Sequence, residues 1–587
     1  MTQIDTETKH DINKNSFSDE LLLRIKNIYP DDYQQVLSRL ETMLIEKCPT
    51  KKTHDSEVWD HRDIMLISYG DSIFEDETPP LETLHKFINK YLKGTVNAIH
   101  ILPFFPYSSD DGFSVIDFRK VNPDLGDWSH IQTIANDYKL MADLVINHVS
   151  RESLWFYDFV GNIKPACDYF IEHHPDTDVS MVTRPRNTPL LVPVNTHRGT
   201  RYLWATFSED QIDLNFSNPD VLLEFIDIFL GYLSNGAKLI RLDAIAFLWK
   251  ELGTSCIHLE QTHEVVKLLR TLINHFYPDR ILLTETNVPH DENISYFGQG
   301  DEAHMVYQFP LPPLLLHALN RGTSENLYNW AKSLPVLPEN STYLNFTASH
   351  DGIGLRALEG IVTQKEVDDL LDCMHRFGGF VSMKANKDGD DTPYEVNISL
   401  FDAMQGTRRG PDQWQVQRFL CSQAVMFCLQ GIPAVYINSL TATPNDLLGV
   451  EVTGRTRSIN RKKWQYDELV SQLQATHTPN HEVFNAVKEL MSIRIKQACF
   501  HPDASQIIID AGNSIFAVLR LDTKTGQCLL ALNNVTASPQ VVALGEHTEL
   551  LRINFWKDII SNKMLSEPLS ETTLEPYQVM WLVEATP

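Results

Sequence analysis

A few residues in this chain combine useful chemistry with a setting that can hold them. Arg241 and Asp243 close an apolar run at 238–243, and Glu285 closes another at 280–285. His350 and Asp351 follow a third at 343–349, and Asn147 and His148 follow a fourth at 141–146. Three carboxylates, Asp243, Glu285 and Asp351, thus stand at the ends of three strand-like runs, from which they could converge on one pocket. Any one alone reads most simply as a cap or a salt-bridge member. Together, with an arginine and two histidines at matching positions, they read as a site. Arg241 lies two residues before Asp243 and so shares its strand face. Its charge is expected to favour the ionised carboxylate and lower its pKa. Glu285 has no cation within four residues along its strand and can stay protonated. One ionised and one protonated carboxylate are the equipment of nucleophilic and general acid–base catalysis.

These residues need a scaffold that gathers strand ends. Short apolar runs recur at 63–69, 98–102, 141–146, 238–243, 280–285, 303–309, 343–349 and 432–437, with helical stretches such as 221–234 and 262–275 between several of them. Eight buried strands alternating with helices suggest an α/β fold closed as a parallel (β/α)8 barrel, with catalytic groups at the C-terminal strand ends. A doubly wound sheet would give a similar pattern. Residues 1–60 read as an extension, disordered through about 17 and then helical over 18–48. The barrel spans 61–502. It carries an inserted small B domain at about 150–216, rich in proline and polar residues, and a long loop region at about 356–430. From 503 to 587 the pattern becomes alternating strands, a C-terminal β domain.

Composition excludes some partners. The 587 residues carry a net charge of −27, and no basic stripe offsets it, so nucleic acid is disfavoured. No apolar run of about 18 residues offers a membrane span. The polar N-terminus lacks an apolar signal core, which argues for a cytoplasmic protein. Eight scattered cysteines without a C-x-x-C pair read as free thiols.

Four stretches, "ADLVINHVS", "IRLDAIAF", "LLTETNVPH" and "TASHDGIGL", resemble in order and spacing the conserved stretches of the α-amylase superfamily of retaining α-glycosidases. The resemblance covers roughly residues 60–587. It tightens to the sucrose phosphorylase group through "HILPFFPYSSDDGFSVIDF", "FSEDQIDLNFSNPDVL", "GTSCIHLE", "PYEVNISLFDAM" and "GRTRSINRKKW". Within that group, "ETNVPH", "MVTRPRNTPLL" and the N-terminal helices are most similar to the glucosylglycerate phosphorylases. Two departures from the sucrose enzymes touch the acceptor side: Asn287 stands where they place His, and Glu395 where they place Gln.

The resemblance implies glucosyl transfer with retention, in which two carboxylates roughly 5–5.5 Å apart act through a covalent glucosyl-enzyme. Asp243 would be the nucleophile, Glu285 the acid/base and Asp351 the transition-state stabiliser, with His148 and His350 beside it. It further implies that Asp110 and Arg457 hold the glucose 4-hydroxyl end, that Phe113 and Phe207 flank the ring, and that Gln211 lies near the floor. Arg184, Arg186 and Tyr394 would admit phosphate, and Arg241, Asn287 and Glu395 complete the set. A carboxylate-bearing acceptor such as glycerate would use the same cations. The expected reaction is reversible phosphorolysis of an α-glucoside, foremost 2-O-α-glucosylglycerate, to α-D-glucose 1-phosphate. The alternatives are sucrose, glucosylglycerol or sucrose 6-phosphate phosphorylase, then an α-glucosidase or transglucosidase. A catalytically dead sugar-binding relative is disfavoured by the intact carboxylates. No cofactor and no metal are expected, phosphate being a co-substrate, and the group admits a homodimer. "GQGDEA" (298–303) fits a dinucleotide pattern but follows no strand of a βαβ unit. "HEVVK" (263–267) lacks a second zinc histidine, and His173-His174 reads as exposed loop.

Overall fold

A computed structural model describes residues 17–49, 58–385, 391–544, 550, 553, 555–565 and 568–585. All eight apolar runs become strands: β1 (Met65–Ser68), β2 (Ala98–Ile101), β3 (Lys139–Val145), β4 (Ala237–Asp243), β5 (Ile281–Thr284), β6 (Met305–Tyr307), β7 (Thr342–Phe346) and β8 (Ile432–Tyr436). They close a parallel barrel in sequential order, with β1 pairing with both β2 and β8. Nearly every residue in them is buried, as expected of strands covered by side chains within and helices without. Helices Pro219–Ser234 and Glu260–Phe276 follow β3 and β4. They pack aliphatic faces on the barrel, and Pro219 starts its helix at a position where no N–H is needed.

The N-terminal helices, 17–28 and Tyr33–Lys47, form a hairpin against the barrel's outer layer. Leu21, Ile25, Ile28, Val36, Leu40 and Leu44 are buried, the 3.6-residue stripe of an amphipathic pair. Tyr29 donates its hydroxyl to the Phe216 carbonyl at 2.7 Å. The disorder expected before residue 17 falls outside the described residues. Between β3 and its helix, residues 150–216 hold the helix Leu154–Gly161 and a three-stranded antiparallel sheet. A six-stranded antiparallel sheet forms the C-terminal domain, with its own apolar core.

The segment expected as long loops, 356–430, contains more order. Helix Gln364–Arg376 begins with a capping box, in which Thr363 and Glu366 each accept from the other's backbone N–H. Strands Phe380–Ala385 and Asp391–Asn397 form a hairpin. Of the polar run "ANKDGDDTP", Ala385 ends the first of these strands and 391–393 begin the second, and 386–390 lie outside the described residues.

All eight cysteines are free. Among the described residues, no helix is long and apolar enough to cross a membrane. Domains are joined by buried arginines. Arg494, 1 % exposed, donates to the carbonyls of Phe427 (3.0 Å), His61 (3.0 Å), Asp63, Gly431 and Phe500. It thereby ties the N-terminal approach to β1, the turn before β8 and the start of the C-terminal domain. Arg494→Met leaves these carbonyls buried without their donor and is expected to destabilise the chain by about 2–4 kcal/mol. Chemical denaturation followed by circular dichroism measures this.

Candidate active site

A cavity of about 500 Å³ opens at the C-terminal end of the barrel. Asp243, the last residue of β4, Glu285, just past β5, and Asp351, five residues past β7, all line it. Ala244 turns the chain out of β4 in the left-handed conformation (φ 57°), a strained state for a residue with a Cβ. Its N–H then points to Glu285 Oε2 at 3.3 Å, joining the two strand ends.

Guanidinium groups hold this acidic cluster together. Arg241, 2 % exposed, donates one nitrogen to both Asp143 and Asp243, the latter at 2.7 Å. Asp143 also pairs with His100 at 2.6 Å. Burial would raise the Asp143 carboxyl, but Arg241 and then His100 bring it down to about 2. Arg457 Nη1 lies 2.5 Å from Asp351, and the same guanidinium grips Glu395 with two bonds of 3.0 and 2.7 Å. Burial works against ionised Asp351, yet Arg457, His350 and Arg461 together hold it far below the usual carboxylate range.

Arg241 does lower the pKa of Asp243, as expected, but it does not outweigh burial. Burial, with Glu285, Asp143 and Asp351 nearby, pushes this carboxyl well above its ordinary value, and Arg241 only opposes the rise. Arg241 is shared with Asp143, so its charge is already half spent. Glu285 is also raised, by burial first and Asp351 second. The two groups titrate as a pair. Hydrogen bonding separates them: Asp243 accepts from a guanidinium, Glu285 only from one long amide bond. The first proton therefore belongs on Glu285.

Most of the expected contacts line the same cavity: Asp110, Phe113, His148, Phe207, Gln211, Asn287, His350, Arg186, Tyr394, Glu395 and Arg457. The Phe113 ring stacks on His350, with centroids 4.8 Å apart and planes 4° from parallel. Phe207 packs at 5.3 Å from His148. Arg186 sits over the Tyr394 ring at 5.3 Å. Arg241 lies beneath, on the floor of the site.

Arg457 and Asp110 line the same cavity, and the ion-pair partners of Arg457 are Asp351 and Glu395. A second cation, Arg461, is 3.5 Å from Asp110, 2.6 Å from Asp111 and 3.6 Å from Asp351. Both arginines belong to "GRTRSINR", four residues apart, and one turn of 3-10 helix (Thr456–Asn460) decides which carboxylate each meets. One expected position needs correction: Arg184 does not line the cavity. Its guanidinium turns back onto the Thr188 carbonyl of its own loop.

One feature escaped the sequence altogether. The Lys250 side chain is buried and bonds Asp213 and Asn147 Oδ1, at 2.7 and 2.6 Å. A lysine can only donate, so it fixes the Asn147 amide with its NH₂ turned toward Asp213 (3.1 Å) and His148 Nδ1 (3.3 Å). His148 Nε2 then donates to the Phe113 carbonyl at 3.0 Å. The only sequence signal was a lysine in an otherwise apolar stretch, "AIAFLWK". Lys250→Met strands the buried Asp213 carboxylate, and is expected to cost about 3–5 kcal/mol. Thermal unfolding of the purified variant measures the loss.

The family model for the α-amylase catalytic domain matches residues 87–351. Glucosylglycerate phosphorylase of Escherichia coli (strain K12) is 42 % identical over 94 % of this chain and 96 % of its own. The glucosylglycerate phosphorylase of Allomeiothermus silvanus is also 42 % identical, over 95 % and 97 %. Sucrose phosphorylase of Streptococcus mutans is 28 % identical over 79 % of this chain and 93 % of its own. Among solved structures, sucrose 6F-phosphate phosphorylase from Thermoanaerobacter thermosaccharolyticum superposes with a TM-score of 0.70 at 25 % identity, covering 81 % of this chain and 94 % of that one.

Proposed function

This chain belongs to the glucosylglycerate phosphorylase family, built on the α-amylase catalytic domain, and from that premise we propose that it reversibly phosphorolyses 2-O-α-glucosylglycerate to α-D-glucose 1-phosphate and glycerate. The observation that carries this reading is the extent of the match. It spans 94 % of the chain, and so takes in the loops that frame the acceptor side as well as the barrel.

The mechanism follows from the protonation states that the site favours. Asp243, ionised against Arg241, attacks C1 of the glucosyl unit. Glu285 donates its proton to the departing glycerate oxygen, leaving a glucosyl ester on Asp243. Phosphate then attacks C1 from the vacated side and releases Asp243, and its proton passes to Glu285. Two displacements restore the α configuration. The ionised Asp351 faces the positive charge that develops at the ring in each transition state. The paired face of His350 and Phe113 offers the sugar a flat wall. Arg461 with Asp110 serves the far hydroxyls, and Arg186 with Tyr394 receives phosphate. Carboxylates carry both steps, so the reading requires no cofactor or metal. Eight unpaired thiols suit a reducing compartment, which supports a cytoplasmic location. The reading also includes a homodimer.

The deciding assay mixes α-D-glucose 1-phosphate with glycerate, glycerol, fructose or fructose 6-phosphate, and follows phosphate release. Glycerate-dependent release is expected to be fastest, and no acceptor-dependent release overturns the reading. Asp243→Asn removes the nucleophile and lowers kcat/KM by roughly 10⁴-fold, as for other groups that act as a unit. The pH profile is bell-shaped. The rate falls at low pH as Asp243 takes up a proton, and falls at high pH as Glu285 loses its own. Because burial raises both, both limbs lie above the ordinary carboxylate range. Glu285→Gln abolishes the high-pH limb, measured with a substrate whose leaving group needs no proton.

A further inference from the structure

Five arginines face the cavity: Arg186, Arg356, Arg455, Arg457 and Arg461. Arg457 and Arg461 are neutralised by the carboxylates already described. Arg455 is exposed at the rim. Arg186 rests on Tyr394, on the wall formed by the B domain. Arg356 is different. It begins the short turn Arg356–Leu358 that follows Asp351 on the same loop, and its side chain is 20 % exposed. Its only carboxylate contact among the described residues is a long one, 3.9 Å to Glu292, and Glu292 already receives His258 at 3.1 Å. Its charge therefore reaches the cavity largely uncompensated.

The location of Arg356 matters as much as its charge. Glu292 lies in the segment that leaves β5 just after Glu285, so Arg356 packs on the side of the general acid/base. Asn287, two residues past Glu285, lines the same cavity. Its Oδ1 is buried and has no hydrogen-bond partner among the described residues. Asn287 leans so close to Gly354 that a Cβ there would meet its side-chain nitrogen at 2.8 Å. A glycine two residues before Arg356 thus makes room for Asn287.

We propose that Arg356 is the specificity-determining residue of the acceptor side: it takes the carboxylate of an acidic acceptor, while the Asn287 carbonyl oxygen accepts from that acceptor's free hydroxyl. This rests on the reading under Proposed function and adds to it the residue that selects the acid. In the synthetic direction the reacting acceptor hydroxyl gives its proton to Glu285 as its oxygen bonds C1 and the Asp243 ester breaks. That hydroxyl must lie against Glu285, so the grip on the rest of the acceptor must come from the neighbouring wall, which is where Arg356 and Asn287 are. Planar guanidinium and planar carboxylate can meet through two parallel hydrogen bonds, which lysine or a neutral side chain cannot supply.

The test takes the ratio of kcat/KM for glycerate to that for glycerol, both with α-D-glucose 1-phosphate as donor. Because both values come from one preparation, partial misfolding cancels. Arg356→Leu is expected to lower the ratio about 100-fold, the weight of a charged hydrogen-bonded pair. Arg356→Lys is expected to restore part of it. An unchanged ratio, with glycerate and glycerol losing equally, overturns the proposal. So does a rise in the KM for phosphate equal to the rise for glycerate, which makes Arg356 part of a general anion site. A wild-type enzyme that transfers to glycerol and not to glycerate overturns the reading of function itself.

Discussion

The site depends on keeping several carboxylates close together, out of water, without letting them all protonate. Asp143, Asp243, Glu285, Asp351 and Glu395 surround one small volume, and like charges at such spacing repel one another. Three arginines answer them, and they are not spread evenly. Arg457 and Arg461 both face Asp351, which stays ionised. Arg241 divides itself between Asp143 and Asp243. Glu285 has no direct guanidinium partner among the described residues and is left as the group that holds a proton. Unequal neutralisation, rather than the carboxylates themselves, makes three like groups chemically different.

Such neutralisation works only if the guanidiniums cannot drift. Arg241 is held by the register of β3 against β4, which sets Asp143 opposite it. The Phe113 and Tyr307 rings each lie 5.7 Å from its centre, and cover it. Arg457 is held by Glu395, delivered by the hairpin that crosses the cavity mouth. A buried ion pair adds little to stability on its own. Here the pairs add position: each charge fixes the geometry of the next.

Much of this was legible in the sequence, for a physical reason. Barrel strands buried on both faces must be short continuous apolar runs, and all eight announced themselves that way. The strand-end carboxylates then followed from the barrel's polarity. What could not be read were choices made by side-chain direction. Arg457 and Arg461 both face Asp351, and only the 3-10 turn between them gives Glu395 to one and Asp110 with Asp111 to the other. Arg184 and Arg186 are two residues apart, yet only one enters the cavity. The pKa of Asp243 was misjudged because sequence shows the neighbouring cation and not the burial or the second carboxylate that shares it. The helix at 364–376 was missed although its capping box, Thr363 with Glu366, stood in plain view.

Lys250 shows how the inserted domain is made part of the catalytic unit. Its ammonium comes from the loop after β4, Asn147 from the end of β3, and Asp213 from the strand that returns the B domain to the barrel. A single buried cation thus joins the strand that carries the nucleophile to the two edges of the insertion. Asn147 is oriented by it, and His148 by Asn147. His148 donates its Nε2–H to the Phe113 carbonyl, and Phe113 is the ring that stacks on His350. The wall that faces the sugar is therefore continuous with the bond that fastens the B domain. The B domain also brings Arg186 to the same cavity, so the residues it contributes are placed by the same buried charge that orients Asn147 and His148.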